Sequence, residues 1–263
     1  MIDDAFGGFA DDHRDGLYLL RDGFIFTSPS VYTSRTLLLY SGALLMAVDR
    51  SPLRLDLAGQ TESLAAVAIA PRVPYRLDAR RAPLVSVHIE PRHALYPQFC
   101  ALPGKGVRDM PRKAFEHFDG RLAECFARRL SLYDAQELFD ELLSEAAAQL
   151  PPAARRDVRI EQTLQALDSD PHSSLQALAR SLGLSYDRMS HLFSAEVGLP
   201  LKSYQLWRKV KLAALRFSSG ESLTKIAHSA GFADSAHLSR TFNRFFDIKP
   251  SYLVNSDCVQ VFN

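Results

Sequence analysis

The sequence predicts an α+β chain of two domains, with a strand-rich N-terminal domain over residues 1–150 and an all-α domain over residues 157–263. Three observations predict this. The chain has 263 residues, and at roughly 100–200 residues per domain two is the natural count. Short β-favouring runs, cut by Gly, Pro and Asp, fill residues 17–90. From Val158 onward the apolar residues recur at helical spacing until the last few residues.

The strand segments, in order, are GLYLLRDGFIFTS, TSRTLLLYSGALLMAV, PLRLDLAG, LAAVAIAPRVPYRLD and PLVSVHIE. Many short strands at near-regular spacing predict a sandwich or a barrel. Helices are expected at about 111–150, where Leu122, Phe126 and Leu130, then Leu138, Leu142 and Leu143, follow helical spacing. Ser131 or Asp134 divides this stretch. Leu138, Leu142, Leu143 and Leu150 form an apolar stripe among Glu137, Asp140, Glu141 and Glu145. The stripe is expected to make a homodimer, or else to pack on its own β domain. Pro151-Pro152 ends the helix, because proline lacks the backbone N–H and clashes with the preceding turn. PPAARRD is the expected linker.

Composition narrows the function classes. The chain is 47% hydrophobic and 23% charged, as ordinary soluble domains are. Cys100, Cys125 and Cys258 are scattered and form no CxxC, which argues against a disulfide framework or zinc knuckle. No apolar run approaches the roughly 18–20 residues of a membrane span. The acidic start lacks a signal pattern, so a cytoplasmic location is expected. Charge is a weak footprint: residues 1–156 hold 19 Lys+Arg against 20 Asp+Glu, and residues 157–263 hold 12 against 10.

An internal repeat is more informative. SLQALARSLGLSYDRMSHLFSAEVGLP (174–200) is echoed by SLTKIAHSAGFADSAHLSRTFNRFFDIKP (222–250). Ala179 and Gly183 stand 48 residues before Ala227 and Gly231; Phe193 stands 49 before Phe242. In each copy a helix carries a small alanine, which permits a close helix crossing. A glycine follows where a sharp turn favours positive φ. A polar N-cap comes next, Ser185 or Asp234, and opens a second amphipathic helix. The buried faces are Met189, Leu192 and Phe193 in one copy and Leu238, Phe242 and Phe245 in the other. This is the grammar of a helix-turn-helix unit, whose second helix enters a DNA major groove. The joining segment 200–220 predicts a long helix. About 18 residues at ~1.5 Å each give roughly 27 Å, long enough to hold two recognition helices near one DNA turn, about 34 Å, apart. Trp207 is expected to pack this helix against both units.

LARSLGLS with HLF, the stretch Trp207–Ala213, IAHSAGF, and HLSRTFNRFF followed by Lys249-Pro250 resemble the AraC/XylS family of transcription regulators over about residues 157–254. Lys209 stands where the family often has Arg, Asp247 where it often has Gly, and His237 or Leu238 where an aromatic is common. The resemblance implies a sequence-specific regulator of double-stranded DNA, an activator acting with RNA polymerase. Exposed residues near the start of each second helix are the base-contact candidates: Asp187, Arg188, Ser190 and His191, then Ser235, Ala236, Ser239 and Arg240. Arg240 suits a guanine O6/N7 edge. Lys202, Lys225, Asn243 and Arg244 are candidates for phosphate contacts, which position without reading sequence.

The resemblance also implies a cupin-like β-barrel that binds a small-molecule effector, followed by dimerisation helices. Inward-facing Tyr18, Phe24, Phe26, Tyr40 and Tyr75 are the pocket candidates, with Arg35, Arg54 or Arg76 to meet an acidic effector. Plain core residues and surface arginines are the alternative. No metal or other cofactor is implied, since His88, Glu90 and His93 do not reproduce the metal-binding cupin spacing. No Ser/His/Asp or Cys/His grouping suggests an enzyme. A cupin-type enzyme with a helical appendage, and a regulator controlled by a partner protein, are the competing readings.

Overall fold

The computed structural model describes residues 14–246, 249–254 and 259–263. Asp247 and Cys258, noted above, lie outside the described residues. The β-rich part comprises β1 (Asp15–Leu20), β2 (Gly23–Ser28), β3 (Val31–Tyr32), β4 (Gly42–Ala47), β5 (Leu53–Leu57), β6 (Gln60–Leu64), β7 (Ala66–Ile69), β8 (Arg76–Ala79) and β9 (Leu84–Ile89). Helix α1 (Tyr96–Cys100), strand β10 (Val107–Asp109), a 3-10 segment (Arg112–Phe118), α2 (Asp119–Phe126) and α3 (Leu132–Ala148) follow. The helical part has α4 (Val158–Ser169), α5 (Leu175–Ser181), α6 (Tyr186–Val197), α7 (Leu201–Ala214), α8 (Leu223–Ser229), α9 (Ser235–Phe246) and α10 (Pro250–Val254). Strand β11 (Val259–Phe262) comes last.

The strands form two sheets, one of seven strands ordered β10-β7-β4-β9-β2-β1-β11 and one of four ordered β3-β8-β5-β6. The larger sheet is covered on both faces. On one, Leu45 of β4 and Leu84 of β9 pack against Leu55 and Leu77 of the smaller sheet. On the other, Leu44, Val85 and Val87 join Tyr18, Phe24 and the apolar faces of α2 and α3. That is why β4 (GALLMA) and β9 (LVSVHI) are buried at all six positions, as strands shielded on both sides are. The run GLYLLRDGFIFTS is the β1–β2 hairpin, turned at Arg21-Asp22. Gly23 is required there by close approach: a Cβ would lie 2.2 Å from the His88 carbonyl oxygen and 2.4 Å from the Phe139 ring.

The expected barrel pocket does not form as one site. Tyr18 and Phe24 face the helices, with Phe26 and Tyr40 packed at the edge of that core, whereas Tyr75 lies between the sheets. Arg35, Arg54 and Arg76 are exposed. Arg54 pairs in register with Asp78, and Asp56 with Arg76, so these arginines decorate the outer face of the smaller sheet, and Arg76 is tied to Asp56 at 2.6 Å.

Ser131 caps α3, its side chain accepting from the Asp134 backbone N–H. The Leu138, Leu142, Leu143 stripe turns inward against the chain's own sheet, each residue 0% exposed, so it is not a free dimerisation surface. Residues 149–157 carry no helix or strand. The joining helix α7 has 14 residues, about 21 Å at ~1.5 Å per residue, shorter than expected. It ends at Ala214, and a 3-10 turn at Phe217–Ser219 and left-handed Gly220 follow. Strand β11 runs parallel to β1 and returns the chain to the edge of the first sheet.

Candidate nucleic-acid interface

The two repeats fold alike down to single hydrogen bonds. In the first, the turn after α5 passes through Gly183 (φ 68°) and Ser185 caps α6 by accepting from the Arg188 N–H at 3.2 Å. In the second, the turn after α8 passes through Gly231 (φ 76°) and the Asp234 carboxylate accepts from the His237 N–H at 2.6 Å. Leu184 N–H donates to the Ala179 carbonyl, and Phe232 N–H to the Ala227 carbonyl, both at 2.9 Å. Ala179 and Ala227, Gly183 and Gly231, and Leu184 and Phe232 stand 48 apart, and the N-caps Ser185 and Asp234 stand 49 apart. A left-handed glycine permits each turn, since a Cβ would strain it. Ala179 and Ala227 are fully buried, as close helix crossing requires. Leu184 and Phe232, buried plugs of the two turns, were not picked out from the sequence, although their shared place after the glycine is the signal.

Each second helix buries one face and presents the other. Met189 and Phe193 in α6, and Leu238, Phe242 and Phe245 in α9, are buried, while Leu192 is half-buried. Asp187, Arg188 and His191 are exposed and Ser190 half-buried on α6. Ala236 and Arg240 are exposed on α9, with Ser235 and Ser239 half-buried. Ser239 spends its hydroxyl on the Ser235 carbonyl at 2.8 Å.

The basic candidates are less uniform. Lys202 is exposed, with its ammonium 5.7 Å from the Tyr186 ring centre. Lys225 is exposed but paired with Glu221 at 2.7 Å, and Arg216 holds the same carboxylate. Lys225, then Arg216, keep the Glu221 carboxyl low, at about 2. A phosphate contact by Lys225 therefore competes with Glu221. Asn243 is half-buried. Arg244 donates to the Tyr40 hydroxyl at 3.3 Å, so it is turned toward the β domain. Lys209 and His172 emerge as further members. They line a groove of about 460 Å³ with Ser174, Tyr186, Lys202 and Gln205. A Cβ at Gly231 would lie 2.3 Å from the His172 ring, so the α4–α5 loop abuts the second unit's turn.

Trp207 of α7 packs on Phe245 and Phe246 of α9, with ring centres 5.4 and 5.1 Å away, and faces Phe24 of β2 at 6.5 Å. Beside it an ion cluster, buried except at Arg92, crosses between the β-rich and helical parts. Lys211 donates to both Glu90 oxygens at 2.9 Å and to the Arg21 carbonyl at 3.1 Å. Arg208 lies 3.4 Å from Glu90 and 2.6 Å from Asp168, and Arg92 lies 3.0 Å from Asp168. His88, Glu90 and His93 thus diverge. His88 sits between the Ser41 and Ser86 hydroxyls, Glu90 holds Lys211, and His93 lies near Asp140. No group of three or more His, Cys, Asp or Glu among the described residues is arranged for a metal. Among the described residues, no helix is long and apolar enough to cross a membrane.

Residues 178–255 match the family model of a helix-turn-helix domain. The chain is 33% identical over 101 residues to the HTH-type transcriptional activator RhaS of Citrobacter koseri, covering 37% of this chain and 36% of that protein. It is 26% identical over 99 residues to the arabinose operon regulatory protein of Salmonella typhimurium, covering 36% and 35%. These matches span little more than a third of the relatives' lengths. The whole fold is similar to the crystal structure of ToxT from Vibrio cholerae, with TM-score 0.54, 12% identity, and 91% and 96% of the two chains covered. A ToxT structure with a bound unsaturated fatty acid is similar at TM-score 0.53 and 12% identity, over 91% and 94%.

Proposed function

Because the chain belongs, through its tandem helix-turn-helix region, to the AraC/XylS family of transcription regulators, we propose that it binds specific double-stranded DNA and activates transcription. The observation that carries this reading is the repeated turn, with its matched glycines and backbone hydrogen bonds, ahead of two helices with exposed polar starts. Helices α6 and α9 enter adjacent major-groove segments. Asp187, Arg188, Ser190 and His191 read one segment; Ser235, Ala236, Ser239 and Arg240 read the other. Lys202, Lys225 and Asn243 hold phosphates. Arg244 joins them once it leaves Tyr40.

The β-rich domain, cupin-like in this reading, modulates DNA binding through a small-molecule effector. The fatty acid in the similar ToxT fold supports that role by analogy. The space between the two sheets is packed with Leu45, Leu55, Leu77 and Leu84, which favours an effector site elsewhere. RNA polymerase is the partner of the activated complex, a homodimer uses a surface other than the buried α3 stripe, and the cytoplasm is the place of action.

Genome-wide binding of a tagged chain, with transcript levels in its presence and absence, tests the proposal. Expected are discrete sites sharing one sequence, with neighbouring genes losing transcription when the chain is removed. Absence of enriched sites would overturn it.

A further inference from the structure

We infer that a cavity at the seam between the two domains is a binding site for a small polar organic anion, a carboxylate or a phosphate ester. This deepens the effector reading above and rests on it. The cavity measures about 520 Å³, inside the usual range of roughly 300–1,000 Å³ for ligand sites. Its walls come from three parts of the chain: Arg92 and Gln98 from the first domain, Arg155 and Arg156 from the linker, and Glu161 and Leu164 from α4. Three guanidinium groups therefore face one carboxylate.

Arg156 is the central residue of the site. Its Nη1 donates to the Pro91 carbonyl at 2.8 Å. Its Nε and Nη2 are buried with no hydrogen-bond partner, and its guanidinium carbon lies 6.0 Å from the Tyr96 ring centre. That pair of N–H groups is the side-on edge of the guanidinium, the fork that takes two oxygens of a carboxylate or phosphate at once. Buried donors left unpaired cost stability, more so on a charged group. A small outward turn of Arg156 brings this edge to an occupant of the cavity. The Gln98 Oε1 is likewise buried without a partner, and as an acceptor it calls for a hydroxyl or N–H on the ligand. The ligand is therefore an oxyanion that also bears a donor, such as a hydroxy acid or a sugar phosphate. Arg92 couples the site to the domain contact, because it also pairs with Asp168 of α4 at 3.0 Å and Asp22 at 3.6 Å. An anion that draws Arg92 away weakens that link.

Calorimetric titration of the full chain with citrate, glucose 6-phosphate, inorganic phosphate and neutral glucose tests the inference. Saturable binding of citrate or of glucose 6-phosphate, and none of glucose, is expected; whichever anion binds identifies the carboxylate or the phosphate source. Arg156→Gln should weaken that binding about 10- to 100-fold, the usual worth of a charge-assisted hydrogen bond. Arg155→Glu, at an exposed position that leaves folding intact, should weaken it in the same direction, and Arg54→Gln on the outer sheet should not. No saturable binding of any anion up to about 10 mM, or unchanged binding in both the Arg155 and Arg156 variants, overturns the site. Gel shifts run in parallel separate the two claims. A chain that binds DNA but no anion refutes the site alone. A chain that binds anions but no DNA refutes the regulator reading and upholds the site.

Discussion

At the scale of single residues, His88 shows how burial makes a histidine sensitive to acid. Its ring is stacked on Phe24 with centres 4.3 Å apart, and its nitrogens face Ser41 at 3.1 Å and Ser86 at 2.5 Å. Burial pushes its pKa down to about 3. An unfolded histidine titrates near 6.5. As pH falls from about 6.5 toward about 3, the unfolded chain therefore takes up a proton that the folded chain refuses, and stability falls by up to about 1.4 kcal/mol per pH unit. The carboxyls of Asp78, Asp157 and Glu221, each held at about 2 by neighbouring cations and hydrogen bonds, act in the same direction only below about pH 4. Urea unfolding at about pH 7, 6 and 5 should show the loss, and His88→Gln should flatten it; parallel slopes for both chains would contradict this. None of it was legible in the sequence, where His88, Glu90 and His93 are merely close together. Apart from Ser86, two residues from His88 on the same strand, their separate partners, Ser41, Lys211 and Asp140, lie far along the chain. The same holds for Arg54 and Arg76, whose cross-strand acidic neighbours Asp78 and Asp56 appear only once the β5–β8 register is known.

Elements were legible where their signals were local. The two turns were readable because alanine, glycine, N-cap and apolar helix face lie within about twenty residues of one another, and each rule acts over one or two turns of chain. The strand-rich half was readable as strands but not as a pocket. Alternation identifies an inner face only when the other face is wet, and β4 and β9 are buried on both. The α3 stripe shows the same limit. An amphipathic pattern says that a face is covered without saying by what. Leu142 is 0% exposed within its own chain, so Leu142→Glu should place an unpaired charge in the core and cost more than about 3 kcal/mol. Tyr133→Glu, at a side chain 71% exposed on the same helix, should leave the fold intact. Thermal melting with sedimentation of both variants checks this. A Leu142→Glu chain that melts like wild type but sediments at half its mass would instead restore the dimer interface.

For the whole molecule, the two domains are joined by more than the linker. Strand β11 extends the first sheet beside β1, Tyr96 donates its hydroxyl to the Val197 carbonyl at the end of α6 at 3.2 Å, and Lys211 enters the β-rich part to meet Glu90. Both side chains of that pair are nearly fully buried, at 8% and 3% exposure. Lys211→Met should therefore cost up to about 3–5 kcal/mol, because it leaves the buried Glu90 carboxylate with only the longer Arg208 contact at 3.4 Å, and Glu90→Gln added to it should recover part of the loss. A urea-unfolding double-mutant cycle measures the coupling, and additive losses would contradict it. With α7 only 14 residues long, the spacing of α6 and α9 along DNA becomes the central quantity. Hydroxyl-radical footprinting of the full chain on its own binding site, repeated with Arg240→Ala over single-base variants of the site, tests it most directly. One protomer should protect two neighbouring segments about 10 bp apart, and Arg240→Ala should cost about 1–3 kcal/mol and relax base preference in one segment only. A single protected segment, or an Arg240→Ala loss equal for every base variant, would contradict it.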